Sequence, residues 1–175
     1  MFSKELYNKI ALNKSVSERF ASGYWSDVHL SLLGRVQKTT NNSFGLEKEY
    51  SLMVTLWNTG FRDMPKPIEL KNDGDTIVME EIFYGTPLEE VFDLAQKKEL
   101  PKFLVRHLLD LVSRVLENFW ELGFCHNDLH GRNILVGIDQ EGEWRVWLID
   151  FGTSEFGGNQ TKDRENVKSY FGIDI

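Results

Sequence analysis

Apolar residues recur at intervals of three and four over 102–122. Leu104, Leu108, Leu111, Val112, Val115, Phe119 and Leu122 share one face, and Gly123 closes the run. That is the signature of an amphipathic helix stopped by glycine. A second helix is predicted over 44–58, where Glu49, Leu52, Met53, Leu56 and Trp57 keep the same spacing and Asn58 through Gly60 end it. Phe2, Leu6 and Ile10 predict a short helix over 2–12. Elsewhere the period drops to two. Val28, Leu30 and Leu32 alternate, Leu33-Gly34 permits a turn, and Val36 opens another strand. Asn41-Asn42-Ser43 breaks the chain before the second helix. Pro65 and Pro67 bar helix continuation, and Ile68–Leu70 with Thr76–Ile82 read as a hairpin about Asn72-Asp73-Gly74. Gly85 and Pro87 punctuate the chain, and Thr86 to Glu90 read as a helix start. A loop over 124–133, a strand over 134–138, a turn at Asp139–Gly142 and a strand from Trp144 to Ile149 follow the long helix. The tail beyond 152 begins Gly-rich and polar, and Val167, Tyr170 and Phe171 suit a short helix. The pattern predicts an α+β protein: a β-rich half over 1–83 and a helical half over 84–175 carrying a β-hairpin.

Composition narrows this picture. The chain has 175 residues, enough for one substantial core or two small lobes. Its 12 Phe and 5 Trp supply the apolar area that disordered chains lack. The formal net charge of −7 comes with no basic stripe, so no nucleic-acid partner is expected. The acidity reads as solubility, or as a preference for basic protein partners. Cys125 is the one cysteine, which excludes an internal disulfide and a cysteine-built zinc site. The first residues lack a long apolar signal region, and the longest apolar runs fall short of a membrane span. A cytoplasmic setting without membrane contact is expected, in the producing cell or in a host cell into which the protein is delivered.

The chemistry concentrates in two segments. His126-Asn127-Asp128-Leu129-His130-Gly131-Arg132-Asn133-Ile134-Leu135-Val136 is followed by Leu148-Ile149-Asp150-Phe151-Gly152. Asp128 and Asn133 are five apart on one loop, so both side chains can enter one cleft. A hairpin returns the chain to that point and brings Asp150 beside Asn133. A carboxylate near an acceptor hydroxyl, with hard oxygen ligands close by, is what phosphoryl transfer requires.

These segments resemble the catalytic loop and Asp-Phe-Gly motif of the protein-kinase-like superfamily. The resemblance implies a bilobal kinase-like fold, with a β-rich N-lobe and a reduced helical C-lobe. It implies ATP and Mg2+, with Asp128 as catalytic base, Asn133 and Asp150 as metal ligands, and His130 at the γ-phosphate. Upstream, Ala21 to Val28 resembles the glycine-rich loop, with Ser22, Gly23, Ser26 and Val28 as nucleotide-binding positions. Val36-Gln37-Lys38 resembles the strand whose lysine binds phosphates. Glu49 resembles the helix glutamate that pairs with that lysine, with Glu47 as competitor. Met79 would flank the adenine, and Glu80 to Ile82 would supply hinge hydrogen bonds. Read one at a time, each has a plainer meaning: a hairpin turn, a strand-end lysine, a solvated glutamate, a buried strand, or loop packing for His130.

The chain departs from the superfamily pattern in three places. Asn127 stands where protein kinases carry arginine, so activation by loop phosphorylation is not expected. His130 is similar to the second histidine of the aminoglycoside and choline kinase loop. Only 23 residues follow Gly152, and no Ala-Pro-Glu motif is present. That economy favours a docked protein substrate phosphorylated on Ser or Thr, with an activating partner conceivable. A small-molecule kinase of the aminoglycoside or choline type is the alternative, as are a pseudokinase scaffold and an AMP-transferring enzyme. The resemblance spans residues 16–156, and the last 19 match no motif.

Overall fold

The computed structural model describes residues 26–31, 34–40, 45–82, 85–139 and 141–172. The helix expected over 2–12 therefore lies outside the described residues, as does most of the glycine-rich-like loop, including Ser22 and Gly23. The described residues fall into two compact units, one within Lys14–Phe83 and one within Tyr84–Ile175.

The first unit is a four-stranded antiparallel sheet with one helix. Strands β1 (Ser26–Ser31), β2 (Arg35–Thr40), β3 (Pro67–Lys71) and β4 (Thr76–Glu80) lie in the order β1-β2-β4-β3. The register sets Lys38 opposite Val28 on one side and Ile77 on the other. Central strand β4 is buried from Thr76 to Met79, which explains why its apolar run does not alternate. Helix α1 (Glu47–Asn58) buries Glu49, Met53 and Leu56, a single face at spacings of four and three. It starts later than the periodicity alone predicts. The Leu46 N–H donates to the Gly74 carbonyl at 2.6 Å, and Gly45 has φ +61°, so the chain enters the helix through a turn. The β3–β4 connection holds Asn72, Asp73 and Gly74 at φ of 53°, 53° and 99°. Asn, Asp and Gly are the residues that tolerate left-handed backbone, which is why this tripeptide was readable as a turn. Strand β4 stops at Glu80, two residues short of the predicted end. Beyond it the Glu81 N–H donates to the Gly34 carbonyl at 2.9 Å.

The second unit is built around helix α3 (Lys102–Glu121). Leu104, Leu108, Val112, Leu116 and Phe119 are fully or almost fully buried, each contributing roughly 1.5–3 kcal/mol on burial. The buried stripe also takes in Trp120, while Leu111 and Leu122 are only half-buried. The stripe packs on strand β8 (Trp144–Leu148) of a sheet that also holds β5 (Thr86–Pro87) and β7 (Ile134–Ile138). Helix α2 (Leu88–Gln96) follows β5 directly, so the predicted helix start at Thr86-Pro87 is a two-residue strand with Pro87 preceding the first turn. The predicted loop over 124–133 contains β6 (Phe124–Cys125), paired with β9 (Glu155–Phe156), and a 3-10 turn at Gly131–Asn133. Helix α4 (Thr161–Phe171) begins well before the three apolar residues that suggested it. It ends at Gly172, φ +65°, and Phe171 stacks on Phe92 of α2 with centroids 5.6 Å apart.

Candidate active site

In the first unit, Lys38 and Glu49 meet. The Lys38 ammonium donates to both Glu49 oxygens at 2.9 and 2.8 Å, and both side chains are almost fully buried. Glu47, the competing partner, is exposed, and its side chain lies where a Cβ on Gly74 would fall. Met79 is buried on β4 opposite Val36. Val28 is half-buried on β1, and Ser26 begins that strand. Glu80 ends β4 exposed, and Ile82 lies half-buried past the strand. The expected hinge segment 80–82 is thus largely outside the ladder.

In the second unit, the structure brings Asp128, His130, Asn133 and Asp150 together. The Asn133 amide donates to the Asp128 carbonyl at 3.0 Å and to its carboxylate Oδ2 at 3.3 Å. With the amide nitrogen committed to Asp128, the Asn133 oxygen is left to accept or to coordinate. His130 Nε2 lies 3.5 Å from the same Asp128 Oδ2. The Ile149 N–H donates to the Asn133 carbonyl at 3.0 Å, which ties the end of β8 to the loop one residue before Asp150. Asp150 itself has φ +62°. A non-glycine residue there costs of order 1 kcal/mol or more, the kind of strain that persists at functional sites. Gly131 has no room for a side chain: a Cβ would stand 2.9 Å from both the Glu89 backbone N and its Cβ. The loop is therefore seated directly on the first turn of α2.

Two residues hold this loop in place. His126 is fully buried against Phe119 and Phe151, and its Nε2 lies 2.9 Å from the Ile149 carbonyl, to which it donates. Nδ1 is buried without a hydrogen-bond partner. Burial pushes the His126 pKa down, and the Ile149 carbonyl and the carboxylates of Asp163, Asp150 and Asp128 oppose it. The second residue, Asp163 on the first turn of α4, escaped the sequence reading. Its buried carboxylate accepts the backbone N–H of His126 at 2.6 Å and of Asn127 at 2.8 Å, and the Trp120 indole N–H at 3.2 Å. No short motif marks it, because its partners are 36 to 43 positions away in the chain. Asn127, read as a substituted arginine, has a local explanation too. Its φ is +65°, a conformation asparagine tolerates better than arginine.

The loop residues of the second unit fit magnesium. Magnesium keeps several waters and takes one or two protein oxygens plus substrate phosphates. The Asn133 oxygen and Asp150 carboxylate are such a donor pair. Among the described residues, no cluster of three or more His, Cys, Asp or Glu forms a closed metal cage.

The fold has a solved counterpart. A structure titled "WaaP in complex with acyl carrier protein" matches with a TM-score of 0.64 at 16% identity, over 87% of this chain and 68% of that one. Among curated proteins, the 3-deoxy-D-manno-octulosonic acid kinase of Haemophilus influenzae strain PittEE is 26% identical over 145 residues. Its counterpart from strain 86-028NP is 27% identical over 145 residues. Each alignment covers 80% of this chain and 56% of the relative, so the chain spans just over half the length of these relatives. Residues 31–168 match the lipopolysaccharide kinase (Kdo/WaaP) family. The match takes in Lys38, Glu49, the catalytic-type loop and Asp150. It also runs past residue 156, where the sequence resemblance stopped, into α4 and Asp163. The chain belongs to the lipopolysaccharide kinase (Kdo/WaaP) family.

Proposed function

We propose that the chain is an ATP-dependent phosphotransferase whose acceptor is the hydroxyl of an acidic sugar. The observation that carries this reading is the joining of Asp128 to Asn133 on one loop, with Asp150 tied beside them. The family supports the acceptor class, since its curated relatives are named as kinases of a sugar acid. They favour the small-molecule alternative over a Ser or Thr of a protein, and a protein acceptor finds no support among them.

In this reading Asp128 is the base. Its carboxylate is about half exposed, and both loop contacts fall on Oδ2, which leaves Oδ1 to meet the acceptor hydroxyl. The acceptor oxygen bonds to the γ-phosphorus of ATP and the bond to the β–γ bridging oxygen breaks. ADP leaves, and the acceptor proton passes to Asp128. Lys38, held by Glu49, binds phosphate oxygens. Asn133 and Asp150 would hold magnesium, which when bound neutralises charge on the phosphates. His130 steadies Asp128, and in this reading it also meets the transferred group.

The test uses the full chain with α- or γ-labelled ATP and a panel of acceptors: a sugar acid, an aminoglycoside, choline and a protein. Label from the γ position should appear on the sugar acid. Label on protein alone, or from the α position, would refute the reading. Asp128→Ala should lower turnover by roughly 10²–10⁴-fold with the fold intact. A protein partner is part of the proposal as well, since the WaaP structure contains an acyl carrier protein. Co-purification of the tagged chain with acyl carrier protein would support it.

A further inference from the structure

We infer that Lys162 recognises the anionic group of the acceptor; this rests on the sugar-acid reading and deepens it. Lys162 lies on the first turn of α4, exposed, and its ammonium donates to the Asn127 carbonyl at 2.7 Å. The next residue is Asp128. A full positive charge therefore stands one peptide unit from the proposed base. An ammonium has three donors, and this bond uses one. Lys162 and Asp128 are both exposed, so the other two donors are open to a ligand.

The placement is braced. Asp163, next in the chain, is buried and grips the backbone of His126 and Asn127, so α4 and the loop move together. Gln160, two residues earlier, donates to the Trp120 carbonyl at 2.7 Å. Lys162 thus projects from a helix turn clamped to the loop by Asp163 and to the end of α3 by Gln160. The surroundings make the charge informative. Asp128, Asp150 and Glu155 are exposed carboxylates of this loop and the segment after β8, and the chain as a whole carries −7. With Asp150 committed to magnesium in the proposed reading, an anionic acceptor approaching Asp128 still meets repulsion from Asp128 itself and Glu155. One cation beside the base offsets it at the point where the acceptor docks. A neutral acceptor needs no such group. A carboxylate on the sugar, held by the ammonium, would orient a nearby hydroxyl toward Asp128.

The competing explanation is that Lys162 merely fastens the Asn127 carbonyl. Steady-state kinetics of the full chain separate the two, with a free sugar acid and its methyl ester as acceptors. Lys162→Gln keeps a donor for the carbonyl and removes the charge. It should raise KM for the acid about tenfold, the low end for a hydrogen bond to a charged group, and leave KM for the ester unchanged. Lys162→Arg should restore most of the preference for the acid. Equal losses on acid and ester, or a fall confined to kcat on both, would overturn the inference and leave the phosphotransferase reading standing. If the wild-type chain phosphorylates neither acceptor, the sugar-kinase reading is what fails, and this inference fails with it.

Discussion

His126 shows how one buried side chain serves both the loop and the stability of the molecule. It is enclosed by Phe119 and Phe151 and reaches the Ile149 carbonyl, so it joins the loop before Asp128 to the strand end before Asp150. Burial disfavours its charged form, and its pKa lies below the usual imidazole value. The unfolded chain titrates this histidine near 6.5. Below that pH the unfolded chain binds a proton that the folded chain refuses, so stability is fully present above about 6.5 and falls as pH drops toward the lower folded value. Urea denaturation at pH 7.5 and 5.5 measures the slope. His126→Gln retains an amide donor but does not titrate. It should be less stable than wild type at pH 7.5 and lose less between the two pH values. The other titrating groups are common to both proteins, so equal losses would mean that His126 is not the source.

Among elements of the first unit, β2 is joined to α1 by the buried ion pair of Lys38 and Glu49. A buried ion pair is weak evidence of net stabilisation, but removing one partner strands the other charge. Glu49→Gln should therefore cost about 3–5 kcal/mol in chemical denaturation. Lys38→Met with Glu49→Leu should recover most of that loss while phosphotransfer stays low, because no ammonium is left for the phosphates. If the double variant is no more stable than Glu49→Gln, the cost lies in packing and not in the stranded charge. The pair was partly legible beforehand. Val36 and Lys38 share a strand face, and Glu49 heads a helical spacing completed by Met53 and Leu56. The preference for Glu49 over Glu47 rested on that spacing, and Glu49 is the glutamate buried against Lys38. Helix α3 and the β7–β8 hairpin were legible because their apolar periods are long. Strands β5, β6 and β9 are two residues each and carry no period at all. Asp163 was invisible for a related reason: it acts through contacts distant in sequence, on a helix whose apolar face is thin.

For the molecule as a whole, the loop cluster proposed for phosphotransfer was readable from local motifs, whereas the acceptor was not. The length of chain after Gly152 suggested a protein acceptor, but length is not a binding site, and the sugar acceptor proposed above rests on relatives and not on a motif. What the whole chain can report without any acceptor is linkage. A ligand that binds only the folded state stabilises it by about 2.7 kcal/mol at one hundred times its Kd. For a chain of this size each kcal/mol moves Tm by roughly 2–4 °C. A non-hydrolysable ATP analogue with magnesium should thus raise Tm by about 5–10 °C at that saturation. EDTA should remove much of the rise, since Asn133 and Asp150 present oxygens that need a cation to meet phosphate. Asp150→Asn keeps the shape and loses the charge that draws the metal. It should retain the part of the shift seen with nucleotide alone and lose the part that depends on magnesium. If Lys38 binds phosphate as proposed, Lys38→Met should weaken both parts of the shift. A magnesium-dependent shift that survives Asp150→Asn in full would place the cation elsewhere and take Asp150 out of the site.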